Sequence, residues 1–378
     1  MQDEPGRAVR VPRALERVPP ALTAVDAVLR RVAEHGLQRA TTATRAELQA
    51  VAAQAHHARL VRLERELEAL STQLGRYLER DPLFRPAHWV AGAARVWLLV
   101  GTTRAALAQA ETPADLEAVA GTPRRRYVEV AGAIEVQAVA ASGWVTDSGY
   151  AGVTVQLWQR DAARWLQAAV VRPQTMVGAA PQRLLRMSVN DTLGLTTQML
   201  AHGAWTLRGV RLSQDGRLSL HQGLQVAAGA PLGRTALDPL YVASGAEAVD
   251  RLARGSLSPL DGVGSVLVYL EPVDVGAVTM DETQARAVSS LRDSAGATVP
   301  VVVSLRPEND ILIDNLTMLA SPAWQPDGMV VRAALSQGRL VLHPLTAVFL
   351  DPVTLPGVRL DPVHEVHLTL EPLKGAQR

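Results

Sequence analysis

An α+β protein is predicted from the sequence, helical in front and built behind from two copies of one β unit. Three observations predict it. Leucines recur at steps of three and four from Leu60 to Leu78, the spacing of one helix face. After "GTPRRRY", which ends at Tyr127, the apolar pattern changes to period two, the spacing of a strand with one buried face. And "LSQDGRLSLH" at 212–221 returns as "LSQGRLVLH" at 335–343, a repeat distance that signals a duplicated domain.

The helices come first. Leu22, Val25, Val28, Leu29 and Val32 share a face, and Gly36 follows as a stop. Thr44 with Glu47 reads as a capping box opening a segment that runs toward Arg80. On it the leucine stripe is flanked by charges at Arg62, Glu64, Arg65, Glu66 and Glu68, and Asp81-Pro82 ends it. The stripe is short for a coiled coil, so packing inside a small bundle is expected, with a partner-binding seam as the alternative. A further helix is expected over 86–109, with Trp89, Val96, Trp97 and Leu107, and a short one over 113–119.

Behind them, "YVEVAGAIEVQAVA" alternates, and "VTVQLWQRD" with "RWLQAAVVRP" forms a hairpin through Asp161. The segment 181–192 is the helix candidate of this half, and "WTLRGVRLSQDGRLSLHQGLQVA" reads as two strands about a turn at Asp215-Gly216. The later stretch repeats the order. Arg160-Asp161 matches Arg292-Asp293, Arg172-Pro173 matches Arg306-Pro307, and "NDTLGLTTQML" from Asn190 aligns on "NDILIDNLTML" from Asn309. Five strands with a helix or irregular crossover between the third and fourth is the order of the OB-fold. The copies are therefore read as OB-like barrels, another small barrel or sandwich being the alternative. The repeated motif is then each barrel's closing hairpin. Gly216 and Gly338 supply positive φ, the leucines form the core face, and Arg217 and Arg339 point outward. The expected divisions are a terminus over 1–20, the helical domain over 21–122, barrel 1 over 123–230, a linker over 231–260, barrel 2 over 261–372 and a tail over 373–378.

Composition narrows the functions. With 378 residues, 48% of them hydrophobic and none cysteine, the chain can bury real cores, and disulfides and thiolate metal sites are excluded. No secretory signal and no transmembrane stretch is legible, so a cytoplasmic protein without membrane contact is expected. Net charge is +1, divided as +5 up to Arg126 and −4 beyond it. Lys374 is the one lysine, a bias that fits a GC-rich genome. The copies diverge: 127–230 is net +2 and carries Tyr127, Trp144, Tyr150, Trp158, Trp165 and Trp205, whereas 256–378 is net −6 with few aromatics. An acidic, aromatic-poor barrel is a poor ligand for phosphate backbones, so single-stranded nucleic acid is expected on barrel 1. Base stacking needs aromatic platforms beside cations, and the candidates are Trp158, Arg160, Arg164, Trp165 and Arg172 on the hairpin, with Arg124, Arg125 and Arg126 at its entry.

Other chemistry is poorly supported. "SGYAG" at 148–152 lacks the lysine and spacing of a phosphate loop and reads as a tight turn, and Ser148 lacks the flanking pattern of a nucleophile elbow. His56 and His57 are adjacent and diverge on a helix. "HEVH" at 364–367 is not a zinc-peptidase motif, and only Glu365 and His367 share a strand face. No metal, cofactor or catalytic residue is assigned.

The helical stretch "HARLVRLERELEALSTQLGRYLERDPLF", with the "SGYAG" and "LSQDGRLSL" strands, resembles uncharacterised bacterial proteins encoded beside SWIM zinc-finger proteins and MoxR-type ATPases. The chain has no cysteine, so the resemblance makes it a companion of the zinc-finger protein. It implies a place in a nucleic-acid-linked or ATPase-driven assembly and carries over no functional residue. The expected function is a non-catalytic binding protein. A protein-only adaptor, with a SWIM or MoxR-type partner by resemblance, is the alternative, and an enzyme is the least supported reading.

Overall fold

The structure is a computed structural model and describes residues 13–109, 116, 119–121 and 127–373, with interruptions at 147, 191–193, 214–215, 231–232, 256–264, 272–273, 337, 350–353, 356–357 and 360–363. The chain divides into a helical unit, 1–125 with 258–262, and a β unit made of the rest.

The helical unit is a four-helix bundle. After a single turn, α1 (Arg13–Glu16), come α2 (Val18–His35), α3 (Thr42–His57), α4 (Val61–Leu78) and α5 (Pro86–Leu107). Leu60, Leu63, Leu67, Leu70 and Leu74 of the stripe are buried with Leu22, Val25, Leu48 and Val96 in one core. The segment expected as one helix toward Arg80 is two, because Arg59 takes a left-handed φ of 58° between α3 and α4. The cap also lies earlier than expected. Thr44 Oγ1 accepts the Thr41 N–H at 3.1 Å, so Thr44 is the third helical residue and Thr41 the cap. Of the short helix expected over 113–119, most residues lie outside the described ones.

The β unit holds two large sheets. The first contains β1 (Tyr127–Glu129), β2 (Ala133–Val145), β3 (Tyr150–Gln159), β4 (Arg164–Pro173), β5 (Ala204–Arg208), β6 (Arg211–Ser213), β7 (Arg217–Leu218) and β8 (Gln225–Ala228). Its spatial order is β1-β6-β7-β4-β3-β2-β5-β8. The second contains β9 (Tyr241–Val242), β10 (Ser265–Leu270), β11 (Asp274–Val275), β12 (Thr279–Asp281), β13 (Arg286–Arg292), β14 (Thr298–Ser304), β15 (Gly328–Ser336) and β16 (Arg339–Phe349). A small hairpin of β17 (Thr354–Leu355) and β18 (Val358–Arg359) precedes β19 (His364–His367), which joins β16. The main order is β11-β13-β14-β16-β15-β10-β9.

The five main strands of each copy follow one ring of neighbours. Numbered by appearance, they run fifth-third-second-first-fourth in the first sheet and second-third-fifth-fourth-first in the second. Both are cuts of the same cycle, opened at different seams. In both, the third and fifth strands are parallel, through Gln167↔Arg217 and Val301↔Leu342, and the first and fourth are antiparallel.

The crossovers differ from expectation. The segment 181–192, expected as a helix, forms a 3₁₀ turn over Pro181–Arg186 and irregular chain over 187–190, its last two residues lying outside the described ones, and the α-helix comes later, as α7 (Thr197–His202) after the short α6 (Gln174–Val177). An antiparallel bridge at Ser188 and Thr196 pairs the chain there instead, the Val189 N–H donating to Leu195 and the Thr197 N–H to Met187. The "YVEVAGAIEV" strand is interrupted at Gly132, whose φ is 79°. Residues 231–260, expected as a linker, carry α8 (Gly245–Gly255), and Val242, Ala248 and Leu252 lie in the second core. Buried Asp293 helps hold that start, its Oδ2 accepting the Gly245 N–H at 2.8 Å.

The C-terminal segment ties the copies together. Leu370 belongs to the first core, while Leu368 and Leu373 belong to the second. Asn315, on α9 (Asp310–Leu319), is 1% exposed and donates to the carbonyls of Leu368 and Glu371 while accepting the Leu373 N–H. An amide that satisfies three buried backbone groups fixes a segment that no ladder holds.

Candidate functional site

Alternation along β3 and β4 sorts their side chains. Val153, Val155, Leu157, Leu166, Ala168 and Val170 point into the first core. Thr154, Gln156, Trp158, Trp165 and Gln167 therefore point to the other face. That face does not meet open solvent. Trp158 and Trp165 pack with Val139, Leu237, Tyr269, Val330 and Leu345 in an apolar seam between the two sheets. Next to it the face opens into a cleft of about 890 Å³, where Ser142, Thr154, Gln156 and Gln167 of the first sheet meet Ser265, Arg332 and His343 of the second.

The candidates read from the sequence are thus distributed. Trp158 and Trp165 are cross-strand partners, with ring centroids 4.5 Å apart and tilted planes. Both are half-buried in the seam. Arg164 is exposed, and its Nε–H donates to Gln159 at 2.8 Å. Arg160, exposed at the hairpin tip, lies 3.9 Å from the Glu135 carboxylate. Arg172 does not join them. It is eight residues along β4 from Arg164, about 26 Å at the usual rise, and its guanidinium donates to the carbonyls of Val171 and Ser188. Arg124, Arg125 and Arg126 lie outside the described residues.

Gln156, Gln167, Arg332 and His343 were not singled out by sequence reasoning as one site. Alternation places Gln156 and Gln167 outward, but nothing in the sequence says that a second sheet covers them. Arg332 and His343 are cross-strand neighbours on β15 and β16. Burial lowers the Arg332 guanidinium from its ordinary value. Burial, and then the Arg332 charge, lower His343, which favours its neutral form.

A second cluster sits where α7 meets the C-terminal segment. His202, His367 and Glu371 bring potential metal-ligand atoms within 4.8 Å of one another. The hydrogen bonds argue against a shared ion. His367 Nε2 donates to the Ala201 carbonyl at 2.9 Å and its Nδ1 meets Thr346 Oγ1 at 3.0 Å, so both ring nitrogens are occupied. The two imidazoles are stacked, 22° from parallel, and in-plane lone pairs on stacked rings do not converge. The cluster is instead a junction: Glu371 accepts from His202 at 2.9 Å and from the His367 backbone N–H at 3.1 Å.

Known proteins add the following. Residues 19–121 match the model of the YehQ four-helical bundle domain. No curated protein matches the chain. Among solved structures, the HINa domain of Ifi202 in complex with a 20-base-pair double-stranded DNA aligns at 10% identity and a TM-score of 0.30, over 58% of this chain and 94% of that one. The p202 HIN1 domain in complex with 12-mer double-stranded DNA aligns at 9% identity and a TM-score of 0.27, over 58% and 92%. A replication protein A heterotrimer bound to single-stranded DNA aligns at 10% and 0.29, over 56% and 49%. No described helix is long and apolar enough to cross a membrane.

Proposed function

We propose that the β unit is a pair of OB-like barrels acting as a non-catalytic binding module, and that its first barrel contacts single-stranded nucleic acid as part of a larger assembly. The ring order of five strands with the third and fifth parallel supports the barrel reading. The observation that carries the binding reading is the outer face of β3 and β4, the face that OB-folds use for oligonucleotides. Here it presents Gln156 and Gln167 to the cleft, with the Trp158–Trp165 pair beside it and Arg160 at its hairpin end, while Arg164 pairs with Gln159 at the same end on the opposite face. Amides suit base edges and arginines suit the backbone, while the tryptophan pair, packed in the seam, supports the face that carries them. The resemblance to companions of SWIM zinc-finger proteins and MoxR-type ATPases nominates those proteins as partners of the assembly.

The test is fluorescence anisotropy of a labelled single-stranded oligonucleotide at low and moderate salt, with an Arg160→Ala, Arg164→Ala variant whose circular dichroism matches wild type. Binding that weakens with salt and falls several-fold in the variant supports the reading. No binding at low salt overturns it and favours the protein-only adaptor.

A further inference from the structure

The second copy is net −6 over 256–378, yet among the described residues the charged side chain that it contributes to the cleft lining is a cation. Arg332 projects from the centre of β15 into the cleft, half-buried. Among the described residues, none lining that cleft is acidic, and no hydrogen bond or ion pair to the Arg332 side chain occurs. A guanidinium withdrawn from water without a counter-charge is costly, and burial acts on it unopposed. Across the cleft Gln156 is 4% exposed, and no hydrogen bond to its amide occurs among the described residues either. Its cross-strand neighbour Gln167 stands beside it. A fork of donors and two amides line one cleft, a donor set that suits an anion.

We propose that Arg332 is a phosphate-binding residue, and that with Gln156 and Gln167 it clamps one phosphate group in the cleft between the two copies. Resting on the function proposed above, the phosphate is a phosphodiester of the strand held by the first barrel. The same chemistry would take the phosphate of a free small molecule. His343 lies beside Arg332, and as a neutral ring it leaves the single positive charge to the guanidinium and can donate one further hydrogen bond.

The experiment compares wild type, Arg332→Gln and Arg332→Lys in two assays: anisotropy of a labelled oligothymidylate across a salt series, and calorimetric titration with pyrophosphate. Matched near-ultraviolet circular dichroism checks the fold, and Arg332→Lys keeps the charge if Arg332→Gln is perturbed. The expected result is about tenfold weaker oligonucleotide binding in Arg332→Gln, with the log–log salt slope reduced by about 0.7, one phosphate contact on a single strand. Arg332→Lys should retain most of the slope. Oligonucleotide binding with affinity and slope unchanged in Arg332→Gln overturns the clamp and leaves the proposed function standing. If wild type binds no oligonucleotide, the proposed function fails. Pyrophosphate binding abolished in Arg332→Gln would then sustain the anion site for a free phosphate, and absence of both bindings overturns it.

Discussion

His202 and His367 stack ring on ring at 4.3 Å, one from the crossover of the first copy and one from the last strand of the second. Their shared partner is Glu371. Burial would raise its carboxyl, but the His202 hydrogen bond, the charges of His367 and His202 and the His367 N–H hold it near about 2. Burial pushes Glu365, behind them, up to about 7 despite His202. Burial would lower His202 too, yet its bond to Glu371 and the charges of Glu371 and Glu365 leave it raised.

Stability should therefore depend on pH in both directions. The Glu371 contribution is present above its unfolded value and is lost as pH falls toward 2. Those of Glu365 and His202 are present in acid. The first fades as pH rises from about 4.5 to 7, the second as it rises through the raised value of His202. His343, held low, works the opposite way below its ordinary value, so each variant is compared with wild type at the same pH. Glu365→Gln should raise the melting temperature relative to wild type at pH 8 and change it little at pH 5. Glu371→Gln should lower it at pH 7, by the equivalent of about 3 kcal/mol for a broken, largely buried pair. Equal shifts at both pH values for Glu365→Gln would refute this assignment.

The two glycines of the repeated motif offer a second test. Gly216 and Gly338 have φ of 75° and 76°, the left-handed conformation that the sequence motif predicts. Their surroundings differ. A Cβ at Gly216 would lie 2.8 Å from the Trp165 carbonyl oxygen, whereas at Gly338 nothing lies within 4 Å. Gly338→Ala should cost about 1 kcal/mol, the strain of a left-handed residue. Gly216→Ala must also displace β4 and should cost clearly more. Chemical denaturation of the two variants reads the difference, and equal losses would show that the contact yields freely.

How much of this was legible divides along physical lines. Periodicity carried the leucine stripe into the bundle core and the alternation of β3 and β4 into inward and outward faces, because both record which side a residue buries. The repeated motif marked matching turns at Gly216 and Gly338 in the two sheets. The break at Arg59 was not legible, since no glycine or proline marks it. Nor was the cleft. Gln156 looks like an outward, solvated strand residue, and only the packing of one copy's outer face on the other's makes it 4% exposed. The same packing moves Trp158 and Trp165 from free platforms into a half-buried seam, a relation between segments far apart in sequence.

"SGYAG" is more than a turn. Gly149 takes a φ of 84°, but Gly152 serves a different purpose: a Cβ there would collide with the Trp144 ring. That ring lies across the glycine and donates its Nε1–H to Thr154 Oγ1 at 2.9 Å, at the edge of the cleft. Gly152→Ala should evict it, lowering stability by about 1–3 kcal/mol and altering the near-ultraviolet dichroism of tryptophan. An unchanged spectrum would mean that the ring is not held there.

Trp165→Ala should act on folding before it acts on binding. The side chain is half-buried against the seam, and its removal deletes the ring contact with Trp158 at 4.5 Å. A loss of about 2–3 kcal/mol is expected, at or below the low end for a tryptophan truncated in a core because part of the ring is solvated. The Arg160 side chain, exposed and loosely partnered, should cost under about 0.5 kcal/mol when truncated, and Arg164, exposed but bonded to the buried Gln159 amide, about 1 kcal/mol. Denaturation curves for Trp165→Ala, Arg160→Ala and Arg164→Ala separate the two roles. If Trp165→Ala is as stable as wild type, the ring is a free platform and the seam does not depend on it. If it is destabilised more than the arginine variants are, weakened oligonucleotide binding in the arginine variants reports contact with the ligand, and weakened binding in Trp165→Ala reports the integrity of the face that carries it.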